Sequence, residues 1–445
     1  MFRMMSAVTA CGLALAAPVA AQDFFEVGGP TLSELRNIRS TYIFELDPSV
    51  DADALPVQAR ALMGRFGGQV RMVYGTAFNG FSARMNDVAV ARLLEARGTG
   101  VVSVTRNDLV TISAPPNCSV DSSHPSCKDD DGGGGGNEPV SCTLSELPWG
   151  VSRVSPLAPN PDCSGYLEAG EAAKLVDLNR FASSGLKVCV IDTGVAEHPD
   201  LIVSGDRYNF TAELSDDDLH GHGTHVAGTI GAIADLAGVV GVAPSAEITS
   251  IKVLDRNGSG SWETVIAGID KAAAIHCDVA NLSLGGARNT SVDSAVTNAA
   301  KQGVSFAIAA GNSGTDTDNY SPAAASSNGT DDKVYTVAAF AEGDKWASFS
   351  NYDANGISPI VDFALPGVGV KSTLPGGSYG TYDGTSMAAP HMAGLLVRYL
   401  HDRGASVPID NSVFSRAGTV TREGGRGRWK SSHESYAIPA DDGNF

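Results

Sequence analysis

Three short segments of this chain each place a reactive side chain at the end of a predicted strand or the start of a predicted helix. Asp192 follows the apolar run 188–191, His222 lies in the glycine-rich segment 220–228, and Ser386 begins a stretch of small residues. A hydroxyl is a poor nucleophile unless a base takes its proton, and an imidazole base needs an acceptor that fixes its tautomer. An aspartate, a histidine and a serine can fill these roles. Together they predict hydrolysis through a covalent intermediate on the serine.

Each of these residues has a plainer interpretation when it is considered alone. An aspartate at the end of a strand usually closes a turn, and a serine at the start of a helix usually caps it. The histidines His220, His222 and His225 lie close together and could instead bind a metal such as zinc. A zinc hydrolase is therefore an alternative. The glycine-rich spacing and the absence of a His-Glu-x-x-His pattern argue against it.

Taken together, the three segments resemble the subtilisin-like serine proteases, the subtilase family. They read VCVIDTG, HGHGTHVAG and GTSMAAPH, in the order Asp, His, Ser, and the resemblance runs from about residue 147 to residue 400. It implies that Ser386 is the nucleophile, that His222 is the general base, and that Asp192 orients and stabilises the imidazolium. The presence of all three residues argues against the alternative of an inactive binding protein.

The resemblance also implies which groups bind a substrate. The segment 309–314 matches the family's oxyanion segment, which implies that Asn312 donates to the carbonyl oxygen under attack, together with the backbone N–H of Ser386. Two further segments resemble the edges between which family members clamp an extended peptide. The substrate-binding residues implied in this way are Gly258, Ser259, Gly260, Trp262, Ser283, Leu284, Gly285, Ala310 and Gly311.

The walls of the primary specificity pocket would be formed by residues 309–311 and 320–323. These segments contain no acidic residue. We therefore expect a preference for large apolar or aromatic side chains before the cleaved bond, and not for arginine or lysine.

A structural calcium ion is a further implication of the resemblance. Calcium takes about six to eight oxygen ligands, part of them carboxylates. The family's usual N-terminal glutamine ligand is not matched in this chain, so a solvated loop is the alternative. Asp362 could serve a second, weaker cation position. The ligands implied for the main site are the side chains of Asp200 and Asp235 and the backbone carbonyls of Ile233, Ala237 and Val239.

The apolar pattern predicts the elements that must position these residues. Short apolar runs at 188–191, 248–253, 279–283, 304–309 and 334–337 alternate with helical stretches. Continuous apolar strands separated by helices are typical of an α/β fold in which a parallel central sheet has helices on both faces.

A second, smaller body is predicted before this domain. Residues 41–113 have the order strand, helix, strand, strand, helix, strand, which predicts a small α/β sandwich. It could be an independent binding domain, but it resembles the family's inhibitory pro-domain. The organisation we expect is a signal peptide at 1–21, a pro-domain at 22–114, a flexible Gly- and Asp-rich linker at 115–146, a subtilisin-like catalytic domain at 147–405 and a C-terminal extension at 406–445.

Three boundaries of this organisation need separate interpretation. Pro115 would resist cleavage directly after Ala114, so we expect the maturation cut further along the linker. A lipoprotein signal ending at Cys11 is a less favoured alternative to the secretory signal peptide. The extension after residue 405 is interpreted as solvated, or else as a second processed segment.

Charge and composition limit the partners. The 445 residues include 31 Lys+Arg and 50 Asp+Glu, which gives a formal net charge of −19. Such a chain would be repelled by nucleic acid and by anionic membranes. No apolar run reaches the roughly 18 residues of a membrane span. We expect a protein secreted from the cell or held in the periplasm, without a membrane anchor. Its partners would be protein or peptide substrates and its own pro-domain acting as an inhibitor.

The cysteine count fits an oxidising compartment. Removal of the signal peptide would also remove Cys11 and leave six cysteines. Local spacing favours Cys118 with Cys127 and Cys142 with Cys163, which leaves Cys189 with Cys277. Free buried thiols are the alternative.

Overall fold

The computed structural model describes residues 31–112, 147–154, 179–235, 237–328, 333–354, 360–404, 415–422 and 434–440. The helices are α1 Leu32–Arg39, α2 Leu55–Phe66, α3 Asp87–Glu95, α4 Trp149–Val154, α5 His222–Gly231, α6 Trp262–Ala274, α7 Thr290–Lys301 and α8 Thr385–Arg403. The first strands are β1 Thr41–Leu46, β2 Gln69–Tyr74, β3 Gly80–Arg84, β4 Val101–Arg106, β5 Leu109–Thr111, β6 Val188–Asp192, β7 Ile202–Asn209, β8 Glu247–Lys252, β9 Ser259–Ser261 and β10 Val279–Leu282. The remaining strands are β11 Gly286–Ala287, β12 Ser305–Ala309, β13 Tyr320–Ser321, β14 Val334–Ala341, β15 Lys345–Trp346, β16 Val361–Pro366, β17 Val370–Leu374, β18 Ser378–Tyr382, β19 Ser415–Arg422 and β20 Glu434–Ala440.

The main sheet has eight strands, with β15, β14, β12, β10, β6, β8 and β7 in this order and β16 paired with β14. All of its pairings are parallel except that of β14 with the short edge strand β15. The α/β fold with a parallel central sheet is therefore confirmed. The five apolar runs that predict strands all lie in this sheet, whereas β7, β15 and β16 are additions that the apolar pattern does not reveal.

Side chains on β6 show why the first four residues of this strand, which come before Asp192, are apolar. Val188 and Val190 belong to a core formed with α5 and α8, whereas Cys189 and Ile191 belong to a second core formed with α6 and α7. Alternate residues of a strand point to opposite faces of its sheet. The sheet is therefore covered on both faces, and each face has its own core.

The N-terminal unit, residues 31–112, has a four-stranded antiparallel sheet in the order β2, β3, β1, β4. Its strands and helices follow the predicted order, and α1 and β5 are added at its two ends. Phe44 on β1 packs in a core with α2 and α3, and its neighbour Ile43 packs in the core of α6 and α7. One face of this sheet therefore has a core of its own, and the other face rests on the main unit, residues 147–404.

One disulfide lies within the described residues. Cys189 on β6 is bonded to Cys277, which precedes β10, with their Cα atoms 6.0 Å apart. This pair confirms the predicted Cys189–Cys277 bridge. The pairings of Cys118 with Cys127 and of Cys142 with Cys163 fall outside the described residues, as do the signal peptide and the linker.

The chain ends with an antiparallel pair, β19 and β20. Val420 on β19 is fully buried in the core of the main unit. The expectation of a solvated extension therefore does not hold at Val420. Among the helices that the structure describes, none combines the length and apolar character needed to cross a membrane.

Candidate active site

Asp192 and His222 meet at the carboxyl end of the main sheet. Asp192 is the last residue of β6, and His222 is the first residue of α5. Both are buried, and Asp192 Oδ1 lies 2.8 Å from His222 Nδ1. The N–H of Thr193 donates to the same carboxylate oxygen at 2.7 Å. This contact favours the tautomer with the proton on Nδ1, which leaves a lone pair on Nε2 to accept a proton.

Ser386 lies in the first turn of α8, at the same end of the sheet. Its hydroxyl donates to the backbone carbonyl of Ser283 at 3.0 Å, and the Ser283 hydroxyl donates back to the Ser386 carbonyl at 2.8 Å. His222 Nε2 has no hydrogen-bond partner among the residues that the structure describes. The hydroxyl of Ser386 must therefore turn away from Ser283 before this imidazole can take its proton.

The side-chain nitrogen of Asn312 and the backbone nitrogen of Ser386 lie near one point beside Gly384. A Cβ atom built on Gly384 would lie 3.3 Å from Asn312 Nδ2 and 3.5 Å from the backbone nitrogen of Ser386. Thr385 orients the Asn312 amide, because its N–H and its hydroxyl both donate to Asn312 Oδ1 at 2.8 Å. Gly384 has φ +146, a conformation that favours glycine. The absence of a side chain at position 384 therefore leaves a space in which an oxyanion would meet two donors.

Asp218 hydrogen-bonds to residues next to Asp192 and next to His222. It was not identified from the sequence. Its Oδ1 accepts from Thr193 Oγ1 at 2.9 Å and from the Gly221 N–H at 2.8 Å. Its Oδ2 accepts from the N–H and the hydroxyl of Thr224, at 2.9 and 2.6 Å. One buried carboxylate thus holds the end of β6 against the start of α5. The only signal in the sequence is an acidic residue four positions before His222.

A strand of the chain itself lies in the predicted peptide-binding cleft. β5 pairs antiparallel with β9, with Val110 opposite Gly260, and Thr111 forms a bridge to Gly285 on its other side. The N–H of Ile112 donates to the Gly258 carbonyl at 2.9 Å. Both predicted edge segments are therefore in place to bind an extended peptide, and β5 already occupies the space between them.

The cleft has an apolar subsite and a small pocket. Val110 is fully buried in the same core as Trp262 and Leu284. The pocket has a volume of about 110 Å³ and opens beside Ser386, with no acidic or basic side chain in its lining. Its lining residues are Thr111, Leu284, Gly285, Gly286, Ala309, Ala310, Gly311, Asn312, Ser313, Tyr320, Ser321, Ala323, Thr385 and Ser386.

The three histidines do not form a metal centre. His225 Nε2 lies 3.0 Å from the Val370 carbonyl, and the ring stacks on Tyr382 with 4.4 Å between centroids. Burial lowers the pKa of His225 to about 3. Within the described residues, no group of three or more His, Cys, Asp or Glu side chains could hold a metal ion. The zinc alternative therefore gains no support.

Most of the candidate calcium ligands lie in the loop after α5. Asp200 comes from the segment before β7, which contacts this loop through a hydrogen bond to Ile233. Asp200 Oδ2 accepts from the Val239 N–H at 2.9 Å, whereas Oδ1 is buried without a hydrogen-bond partner among the described residues. Burial raises the pKa of Asp200 to about 7, and the nearby charge of Asp235 adds to the shift. The N–H of Ile233 donates to the Asp200 carbonyl, and that of Ala237 donates to Asp235. A buried carboxylate oxygen without a partner, next to a second carboxylate, fits the oxygen chemistry of calcium.

A large part of the chain is similar to known proteins. A family model described as the subtilase family matches residues 183–406. Subtilisin Savinase of Lederbergia lenta is 39% identical over 275 residues, which cover 61% of this chain and 91% of that protein. The thermostable alkaline protease of Halalkalibacterium halodurans is 44% identical over 271 residues, which cover 60% of this chain and 67% of that protein.

Two further proteins show the same family similarity. M-protease of Shouchella clausii is 38% identical over 282 residues, and the match spans 66% of its length. A solved structure of a cold-adapted subtilisin-like serine proteinase superposes with a TM-score of 0.51 at 33% identity. The match covers 67% of this chain and 100% of that one.

Proposed function

The chain belongs to the subtilase family of serine peptidases, and we propose that it is a secreted endopeptidase that cuts extended peptide segments and is made as a self-inhibited zymogen. The observation that carries the peptidase activity is the arrangement around Ser386. A carboxylate–imidazole pair, a serine hydroxyl and two neighbouring N–H donors lie at one end of the sheet, beside a cleft that binds extended backbone.

In the proposed mechanism, His222 Nε2 takes the proton of Ser386 as its oxygen attacks the substrate carbonyl. The Asp192 carboxylate, 2.8 Å from Nδ1, stabilises the imidazolium that forms. Asn312 Nδ2 and the N–H of Ser386 hold the oxyanion. The imidazolium then protonates the leaving amine, and water hydrolyses the acyl-enzyme through the same groups.

We propose that residues 22–114 are the pro-domain, and contacts of the N-terminal unit support this. The carboxylate of Asp270 on α6 accepts from the N–H groups of Gly75, Thr76, Ala77 and Phe78, at 3.3, 2.7, 2.7 and 3.2 Å. Hydrogen bonds to a charged acceptor are stronger than those between neutral groups. The chain continues from this anchored sheet into β5, which blocks the cleft. The cut that matures the enzyme lies after β5.

The proposal also includes a substrate preference, a calcium ion and secretion. The neutral lining of the small pocket favours apolar or aromatic side chains before the cleaved bond. Calcium bound at Asp200 and Asp235 would neutralise a buried carboxylate and tie down the loop after α5. Secretion fits the bridge between Cys189 and Cys277, because structural disulfides form in oxidising compartments.

The test is to express Ser386→Ala beside the wild type, with Ser305→Ala as a matched control. Ser305 is also buried, and its hydroxyl has no partner among the described residues. Wild type and control should lose the N-terminal unit, hydrolyse a peptide substrate and react with a serine-directed phosphonylating reagent. Ser386→Ala should stay intact.

Two outcomes would contradict the proposal. Loss of the N-terminal unit by purified Ser386→Ala in isolation would rule out self-processing. A wild type that ignores the phosphonylating reagent but is inhibited by a zinc chelator would rule out the serine mechanism.

A further inference from the structure

The segment that contains Asn312 is held by a buried side chain from another part of the chain. Asn351 is fully buried in the loop that follows β15. Its Oδ1 accepts from the N–H groups of Ser313 and Thr315 at 3.0 and 3.2 Å, and its Nδ2 donates to the Ala310 carbonyl at 2.9 Å. The Asn351 amide therefore contacts the chain on both sides of Asn312.

The backbone of Asn351 completes this contact. Its N–H donates to the Gly311 carbonyl at 2.9 Å. Gly311 has φ +105, and a Cβ atom built there would lie 2.4 Å from Asn351 Nδ2. The close approach therefore requires glycine at position 311. No substituent fits between the Asn351 amide and the residue that precedes Asn312.

Asn351 is itself tied to the main sheet through its neighbour. The hydroxyl of Ser350 accepts from the N–H of Ala339 on β14 at 2.9 Å and donates to the Asn351 carbonyl at 3.1 Å. Since β14 pairs with β12, which leads into the segment 310–315, the loop is braced by the sheet on two sides. Asn351 thus connects the strand β14 to the irregular segment 310–315.

We propose that Asn351 is a positioning residue for the oxyanion donor Asn312, an inference that rests on the proposed peptidase function. An oxyanion donor is effective only when it is already aimed at the position that the negative charge will occupy. Asn351 acts on the backbone that carries the donor, and Thr385 acts on the donor's own Oδ1. The task needs a side chain that donates and accepts at once, which an ionised aspartate and a leucine cannot do.

The test compares wild type with Asn351→Asp, Asn312→Ala and the double variant. Asn351→Asp keeps the size and both acceptor contacts, but it turns the donor that faces the Ala310 carbonyl into an oxygen. Each full-length chain is processed by immobilised wild-type enzyme, which is then removed by filtration, so that slow variants are also obtained in mature form. The readouts are kcat and KM on a chromogenic peptide, and the inhibition constant of a peptide aldehyde that forms a tetrahedral adduct with Ser386.

We expect Asn351→Asp to lower kcat by roughly 10- to 100-fold, because small displacements of a catalytic group have costs of this order. KM should change by less than about twofold, since the substrate ground state does not use the oxyanion donor. Binding of the aldehyde should weaken in parallel with kcat/KM. The double variant should be no slower than Asn312→Ala within about threefold, because Asn351 has no effect on turnover once the donor is gone.

A matched control separates positioning from general stability. Asn179 also braces a loop by donating to the Ala234 carbonyl and accepting from the Ala234 N–H, but it does so beyond the end of α5 farthest from His222. Asn179→Asp should lower the melting temperature and leave kcat within about twofold of wild type. If Asn351→Asp does not fold, Asn351→Ser takes its place, because a hydroxyl retains part of the brace.

The inference is overturned if the effects of Asn312→Ala and Asn351→Asp multiply in the double variant, or if Asn351→Asp loses stability with unchanged kcat as the control does. In both of these cases the wild type would still be an active serine peptidase. A wild type that resists the phosphonylating reagent would instead overturn the proposed function.

Discussion

The N-terminal unit and the main unit bury their sheets in different ways. The parallel sheet of the main unit has a core on each face, and the unit's own helices contribute to both cores. The N-terminal sheet has its own core on one face only. Its other face packs into the main-unit core that contains α6 and α7. The charges differ as well, because residues 22–114 have a net charge of −1 and residues 115–445 a net charge of −19. If the N-terminal unit were removed, each face of the main sheet would keep the core residues that its own helices supply. The difference supports the proposal that the main unit carries out catalysis and that the N-terminal unit is removed at maturation.

The largest expected effect is a loss of turnover caused by a substitution within the main unit. Asp192→Asn should keep the size of the side chain but lose the charge that fixes the His222 tautomer. In another Asp–His–Ser hydrolase this substitution lowers turnover by about 10⁴-fold, and we expect a loss of similar order here. The measurement is kcat on a peptide substrate, with circular dichroism to show that the fold is kept. A loss of less than about tenfold would separate the Asp192–His222 contact from catalysis.

A smaller effect should appear in stability and again only in the main unit. The Cys189–Cys277 bridge closes a loop with a sequence separation of 88, and removal of a structural disulfide costs about 2 to 5 kcal/mol in the free energy of unfolding. The double variant Cys189→Ala/Cys277→Ala should therefore melt at a lower temperature in a thermal scan of the mature enzyme. Residues 31–112 contain no cysteine, so hydrogen exchange in β1 to β4 of the full chain should be unchanged. Faster exchange there would show that the two units share one cooperative fold.

The smallest effect should be confined to the contact between the units. Asp270→Asn removes the charge that accepts four N–H groups of the N-terminal unit. Hydrogen bonds to a charged group contribute about 1.5 to 3 kcal/mol, so the processed complex should dissociate about 10- to 100-fold more readily. The measurement is recovery of peptidase activity in a dilution series.

The matched control for this variant is Asp278→Asn, which removes a carboxylate that accepts a backbone N–H from Lys187 within the main unit. The control should recover activity at the wild-type dilution. If the Asp270 variant behaves like the control, apolar packing against α6 and α7, and not the Asp270 hydrogen bonds, holds the N-terminal unit in place.

Much of the fold could be predicted from local pattern. The apolar runs of the central strands and the alternation of elements in residues 41–113 both depend on neighbours in the sequence, and both agree with the structure. Elements without such a pattern were missed. β7 is only partly buried, and the strands of the C-terminal pair show no apolar run.

The chemistry of this protein can be inferred from the sequence, because Asp192, His222 and Ser386 belong to segments that can be identified without a structure. Only the tertiary structure showed that Asp218 joins the ends of β6 and α5, that Asn351 braces the chain on both sides of Asn312, and that β5 lies in the cleft. The physical reason is that helices, strands and turns repeat over a few residues and leave a periodic signal. A single polar side chain that hydrogen-bonds to a distant segment leaves none, and its role follows only from the folded chain.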